Sequence, residues 1–348
     1  MTLAPWKSSP GYLSTASFGI PCPAAVQAVT EVTAAWAAGA LSFGSWLADA
    51  QLTRASIARL LAVPPEHVAL GTSTALLLSS IAASLPDNAR VLAPVNEHNS
   101  NLIPYVNQAH RGVTVELVPL SELAERVDSS TTLVSCSAVQ SLTGEVADIQ
   151  TIRTATRATG TIFCLDASQA CGWLPLSGAS ADIIVCSVYK WLCSPLGGAF
   201  LVMTPQMADR FKPATPGWAA GIDPMAPPYG TDFTSAPGTR KFDTVPNLVS
   251  MLALRRSVDA IVQLGIETVR EHDVALANRF RNGLQMDSSN SAIVTLDWQG
   301  GAARLAEAGI RATEWRGVLR LSFHLHNGEA DVDAALKVLA ECGRTHAR

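Results

Sequence analysis

Lysine is scarce in this 348-residue chain, which holds five, at positions 7, 190, 212, 241 and 337. Charged residues make up only 16%, with a formal net charge of −4. That balance excludes a basic nucleic-acid surface and a polybasic membrane patch. Long apolar runs are missing too. ALLLSSIAASL is far short of the ~18 residues a membrane helix needs, and it carries serines. The opening MTLAPWKSSPGYL has no apolar stretch of the kind a secretory signal requires, so none is expected. The seven cysteines (22, 136, 164, 171, 186, 193 and 342) are odd in number and form no C-x-x-C pair. This argues against a disulfide framework and predicts buried free thiols in a reducing cytoplasm.

Apolar residues, at 48%, are ample for a large core, and the length suits two lobes. From about residue 65 to 205, short β-branched runs alternate with helical or polar stretches. HVALG precedes TSTALLLSSIAASL; later come TTLVSCSAV, TIFCLDASQACG and ADIIVCSVYK. Such alternation predicts an α/β fold with a mostly parallel sheet and helices on its faces. Gly197–Gly198 followed by AFLVM predicts a tight turn into one more strand, which such a turn allows to run antiparallel. A Pro/Gly-rich loop, GWAAGIDPMAPPYGTDFTSAPGTRKF, follows; loops of this length are commonly functional. SAIVTLDW and GVLRLSF, mixed with helices, predict a smaller C-terminal α+β lobe. The expected divisions are an N-terminal arm over 1–15 that packs with the small lobe, a large domain over 16–246, and a small one over 247–348.

Ligand sites in α/β proteins gather at the carboxyl ends of strands. Four motifs fall at such ends. In LGTSTALLL, Thr72 and Ser73 follow a strand-ending glycine at a helix start. Free backbone N–H groups and hydroxyls there suit a phosphate, although Ser and Thr also cap ordinary helices. In VNEHNSN, His98 follows a strand and could face an aromatic ligand or simply hydrogen-bond its loop. In FCLDASQACG, Asp166 closes an apolar strand, where a carboxylate needs a partner, and Gln169 lies three residues on. In CSVYKWLC, Ser187, Tyr189 and Lys190 leave another strand. A buried lysine has its pKa lowered by desolvation and can form Schiff bases; otherwise Lys190 snorkels to solvent. Together, a phosphate cradle, an imidazole, an acid and a buried amine match the needs of pyridoxal 5′-phosphate.

GTST, EHNSN, DASQACG and SVYKWL are similar, in order and spacing, to the motifs of the class V aminotransferase family of fold-type I pyridoxal-phosphate enzymes. The resemblance spans GYLSTASFG to LRLSFHLHNGEADVD. It implies a mostly parallel seven-stranded sheet, pyridoxal 5′-phosphate as cofactor, and a homodimer with shared active sites. It also implies that Lys190 carries the cofactor, Asp166 pairs with the ring nitrogen, His98 stacks on the ring and Gln169 meets its hydroxyl. Thr72, Ser73 and Ser187 would hold the phosphate, and Arg320 would fork onto a substrate carboxylate. The chain departs from the family at Tyr189, where histidine is frequent, and around RKFDTVPN. Thr239 and Thr244 are the residues of this shortened stretch that could reach a neighbouring subunit's phosphate.

No cysteine occurs between Cys193 and Cys342, so the persulfide loop of the family's desulfurases is absent. Within the family, the chain as a whole resembles C–S lyases that eliminate a sulfoxide leaving group from a cysteine conjugate bearing a trimethylammonium group. Aromatic faces suit such a cation. Phe18, Trp46, Trp218 and Tyr229 are candidates, each of which could instead be ordinary packing. Cys136 could be an inert thiol or carry a redox part. Two other expectations stand beside this one: an aminotransferase or epimerase on the same scaffold, and a non-catalytic α/β binder of phosphate or nucleotide.

Overall fold

The computed structural model describes residue 6 and residues 9–245 and 247–345, with side chains through residue 340. The other residues of the expected 1–15 arm, 1–5 and 7–8, and the Cys342 side chain, lie outside the described part. Helices α1 (Pro23–Ala37) and α2 (Phe43–Leu60) lead into strand β1 (Val68–Gly71) and helix α3 (Thr74–Ala83). Then come β2 (Arg90–Pro94), α4 (Asn99–Val106), β3 (Thr114–Val118), β4 (Leu133–Ser137), α5 (Ile149–Thr159), β5 (Ile162–Asp166), β6 (Ile183–Ser187) and β7 (Ala199–Val202). After the short α6 (Pro205–Ala208) follow α7 (Leu248–Leu264), α8 (Ile266–Gly283), β8 (Ile293–Asp297), α9 (Gly301–Glu307), β9 (Thr313–Trp315), β10 (Val318–Ser322) and α10 (Glu329–Thr345).

The large sheet has the order β1-β7-β6-β5-β4-β2-β3. β7 is antiparallel to both β1 and β6, while β2 through β6 pair in parallel. β1 therefore runs with β6, and β7 alone is reversed. The tight turn expected at Gly197–Gly198 accounts for that reversal. β4 and β5 are buried along their whole length, and β6 up to Ser187. Both faces are covered, which explains why their sequences read as continuous apolar runs rather than alternating ones. Local chemistry sets the helix ends. Asp148 caps α5 by accepting from Thr151 N at 3.0 Å, and Gly160, at φ +74°, closes it.

The small sheet, β8-β10-β9, is antiparallel and carries Arg320 at its centre. Its core comprises Phe280, Leu319, Leu321, Phe323 and Val332, joined by Leu13 from the N-terminal segment. That segment runs beside the sheet: Leu13 N donates to Arg311 O at 2.8 Å, and Ser322 N donates to Leu13 O at 3.0 Å. It thereby carries Ser17 and Phe18 from the small lobe toward the large sheet. Helix α7 packs on α1 and α2, and its Met251, Leu254, Val258 and Ile261 belong to the large-lobe core. Among the described residues, no helix is long and apolar enough to cross a membrane.

β1, which delivers the first motif, is held by a buried ion pair. Arg54 of α2 bonds Asp243 Oδ2 at 2.8 Å and also donates to the Val68 carbonyl. Asp243 Oδ1 in turn accepts from Leu70 N at 2.8 Å. Arg54→Met leaves the buried Asp243 carboxylate with only the more distant Arg240, at 3.9 Å, as counter-charge. It should cost about 3–5 kcal/mol, read as a lower urea midpoint, whereas pairing it with Asp243→Leu should restore most of the loss.

Candidate active site

The carboxyl ends of β4, β5 and β6, with the starts of α3 and α4, converge on one cavity. It encloses about 330 Å³ including its open mouth, and is lined by Thr74, His98, Asp166, Ser187, Tyr189 and Lys190 among others. Lys190 is buried, at 8% exposure. Its Nζ lies 5.7 Å from the Tyr189 ring centroid and, among the described residues, has no hydrogen bond and no ion pair. Desolvation brings its pKa down to about 8; Asp166 offsets part of this, and Arg320 adds to it. An amine that is neutral in part at neutral pH, with no protein partner, is available for covalent chemistry.

Asp166 is 4% exposed and accepts from Ser168 N through Oδ1 at 2.8 Å. Its second oxygen has no hydrogen bond among the described residues. Ser168 Oγ accepts from Ser187 N at 2.8 Å, which ties the end of β5 to the end of β6. His98 caps α4: its Nδ1 accepts from Ser100 N at 3.2 Å, which leaves the ring proton on Nε2. Burial lowers its pKa, with Lys190 adding to the effect, so the ring is neutral.

The expected residues differ in how directly they line the cavity. Ser187, Tyr189, Gln169, His98, Asp166 and Lys190 all do. At the start of α3 it is Thr74 that lines it; Ser73 is exposed, with its Oγ accepting from Leu76 N at 3.2 Å. Thr72 stands just before that cap and is half-buried. Gln169 is fully engaged by protein: Nε2 donates to Ala16 O and Ser141 Oγ, both at 3.0 Å, and Oε1 accepts from Trp191 Nε1 at 2.8 Å.

Arg320 is 6% exposed and has no carboxylate partner among the described residues. It donates to Ser141 O at 2.7 Å, Ser141 Oγ at 2.8 Å and Ser17 Oγ at 2.8 Å. Ser17 Oγ is itself 2.8 Å from Thr313 Oγ1. Burial lowers the Arg320 pKa to about 10. A buried guanidinium held only by neutral acceptors fits a carboxylate supplied from outside. Ser17 and Ser141 carry no distinguishing motif, and nothing in the sequence sets them apart from the chain's other serines.

Glu97 was also not singled out by the sequence, although it adjoins His98. It is 8% exposed and receives His98 N at 2.7 Å, Ser137 N at 2.6 Å and the Ser137 hydroxyl. Burial raises its pKa. It anchors the His98 backbone to the end of β4.

The aromatic candidates separate. Phe18, partly exposed, lies 5.5 Å from the Tyr189 ring, beside the cavity. Trp46 packs instead with Trp218 at 5.3 Å, and Phe43 meets Trp218 at 5.7 Å. Tyr229 is exposed in a hollow formed by the 217–234 loop. Thr239 Oγ1 donates to Met203 O at 2.8 Å, while Thr244 Oγ1 is buried with no partner. Cys136 is wholly buried, and burial raises its thiol well above the usual range, so it is an inert thiol here.

The donor set fits pyridoxal 5′-phosphate: a free buried amine, a buried acid with one vacant oxygen, a neutral imidazole, and hydroxyls at a helix start. Fold and cavity together define a fold-type I pyridoxal-phosphate enzyme. The model of the family described as Aminotransferase class-V matches residues 42–300, and the chain belongs to that family, which uses this cofactor. It is 24% identical over 319 residues to an uncharacterised aminotransferase of Bacillus subtilis, YcbU, covering 83% of each chain. It is 27% identical over 329 residues to isopenicillin N epimerase of Streptomyces clavuligerus, covering 85% of this chain and 82% of that one. Among solved structures, the cystine C–S lyase C-DES with its product cysteine persulfide superposes with a TM-score of 0.86 at 18% identity. The match covers 96% of this chain and 98% of that one.

Above pH 8 most Lys190 amines should be neutral. In cofactor-free protein, the rate of borohydride-trappable adduct formation with pyridoxal phosphate at Lys190 should rise with pH around a midpoint near 8. A midpoint near the ordinary 10.5 would show that the amine is hydrated rather than buried.

Proposed function

We propose that the protein is a pyridoxal-phosphate-dependent C–S lyase acting on hercynylcysteine sulfoxide. The products are a sulfenic species, which a thiol reduces to ergothioneine, together with pyruvate and ammonia. Lys190 carries the cofactor, and the working form is a cytoplasmic homodimer with shared active sites. The observation that carries the lyase reading is the state of the thiols. All six described cysteines are buried, and none lies between Cys193 and Arg320. Burial also raises Cys136, Cys164, Cys186 and Cys193 above the usual thiol range. Sulfur transfer to an enzyme thiolate has no carrier among them. The leaving group must depart on its own, and a sulfoxide is suited to that.

The chemistry divides among named groups. Bound pyridoxal phosphate supplies an electron sink that acidifies the substrate Cα–H. Asp166, through its vacant oxygen, would hold a proton on the ring nitrogen. Thr74 and Ser187, which line the cavity, would offer hydroxyls to the phosphate, with the N–H groups at the start of α3 and with Thr72 and Ser73 adjoining them. His98, neutral, offers a flat face to the ring, and Gln169 lies beside it. Arg320 would exchange Ser17 and Ser141 for the substrate carboxylate, which orients Cα toward Lys190. Lys190, as a neutral amine, would accept the Cα proton. Tyr189 and Phe18 flank the reacting end.

The cationic end of the substrate has a different seat. Beside Phe18 and Tyr189 it would meet the Arg320 guanidinium, a like charge. The 217–234 loop encloses about 980 Å³, including its open mouth, lined by Trp218, Tyr229, Phe233, Asp223 and Asp232, with no lysine or arginine. Neither aspartate has an ion-pair partner among the described residues. Aromatic faces with unpaired acids suit a trimethylammonium group. Trp46 supports this seat from beneath through Trp218. The likeness to isopenicillin N epimerase favours epimerisation as the second reading.

The purified, cofactor-loaded protein should release pyruvate rapidly from hercynylcysteine sulfoxide with a thiol reductant, and slowly from L-cysteine or a plain S-alkylcysteine sulfoxide. Equal rates from both sulfoxides would keep the lyase and remove the specific substrate. No pyruvate from any of the three would favour transamination or epimerisation. Asp223→Asn with Asp232→Asn should raise KM for the betaine substrate by about tenfold and leave the uncharged sulfoxide unchanged. Phe18→Ala should affect both substrates alike; the reverse pattern would relocate the cation.

A further inference from the structure

A second polar cluster lies wholly inside the protein and is not used by the chemistry above. Asp273 of α8 and His324, two residues after β10, are both fully buried. Asp273 Oδ2 stands 2.6 Å from His324 Nδ1, and His324 Nε2 stands 3.1 Å from the carbonyl oxygen of Trp191. A carbonyl only accepts, so Nε2 carries a hydrogen and donates it. Burial raises Asp273 well above the usual carboxylate range and lowers His324 to about 3. Both directions favour the neutral pair, in which the Asp273 O–H donates to Nδ1. The second Asp273 oxygen has no hydrogen-bond partner among the described residues.

Trp191 follows Lys190 directly, and the turn that holds both is constrained from several sides. The Trp191 indole donates to Gln169 Oε1; Gln169 reaches Ser141, which accepts from Arg320. The His324 ring packs edge-on to the Trp191 ring at 5.3 Å. Two glycines admit the turn's backbone. A Cβ on Gly19 would fall 1.9 Å from Lys190 O, and one on Gly172, at φ +117°, would fall 2.5 Å from Trp191 O. Stability alone does not call for the Asp–His pair, because well-packed apolar residues in such a place are often neutral or stabilising.

We infer that Asp273 and His324 are positioning residues: through the Nε2–H bond to Trp191 O they fix the Lys190–Trp191 turn to the small lobe, and so set where the Lys190 amine stands relative to Asp166 and Arg320. This rests on Lys190 being the cofactor lysine and not on the substrate proposed above.

The test compares cofactor-loaded wild type with Asp273→Leu/His324→Leu together and with His324→Gln, whose amide can replace the Nε2 donor. Melting temperature and visible circular dichroism of the bound cofactor are measured on the loaded proteins, and the rate of trappable adduct formation at Lys190 on the same proteins after cofactor removal. The paired leucine variant should melt within about 5 °C of wild type. It should lose most of the visible dichroism and form the Lys190 adduct about tenfold more slowly. His324→Gln should retain both signals. Unchanged dichroism and adduct rate in the leucine pair, or equal losses in the leucine and glutamine variants, overturn the positioning role. A wild-type protein with no visible band and no adduct at Lys190 would remove the cofactor-lysine reading itself, and the inference with it.

Discussion

The structure turns on one unfavourable placement: an amine removed from water with no counter-ion bonded to it. Lys190 is brought inside by the apolar strand before it and by Trp191 and Leu192 after it, both in the core. Desolvation then works against its charge. Salt-bridging Lys190 to Asp166 would have relieved this, but it would also have removed the nucleophile and the acid together. The structure keeps them in one cavity and unbonded, with Asp166 tied to the Ser168 backbone instead. The vacancy on each group defines what the cavity accepts.

The same logic recurs at Arg320. A buried guanidinium needs acceptors, and the protein provides hydroxyls and a carbonyl rather than an acid. Neutral acceptors satisfy its N–H groups and leave its charge uncompensated, so a carboxylate from solution can compete for it. Ser17 arrives on the N-terminal segment, Ser141 on the loop after β4, and Arg320 on β10 of the small lobe. This Arg320 cluster therefore exists only when the two lobes and that segment are assembled. Helix α7, chained in sequence to the small lobe but packed into the large-lobe core, helps hold that assembly.

Cysteine follows the opposite course. The described thiols are packed as small apolar groups, and burial suppresses the thiolate of four of them. In a family that includes enzymes acting through a thiolate, none of these four thiols is poised to act as one.

Much of the fold was legible in the residues themselves. Wholly apolar strands spaced by helical stretches require a sheet covered on both faces, and the Gly197–Gly198 turn marks the reversed strand. The polar residues at or just after the strand ends, His98, Asp166, Ser187 and Lys190, were legible for the same reason: a polar group leaving a buried strand has few other places to point. Other features were decided only by tertiary structure. Which hydroxyl of Thr72, Ser73 and Thr74 faces the cavity depends on which one caps the helix. Trp46 and Trp218 meet across 172 residues. Ser17 and Ser141 earn a role only through Arg320, and Asp273 and His324 only through Trp191. Side chains far apart in the chain are joined by packing, and no local period or spacing records which pairs will meet.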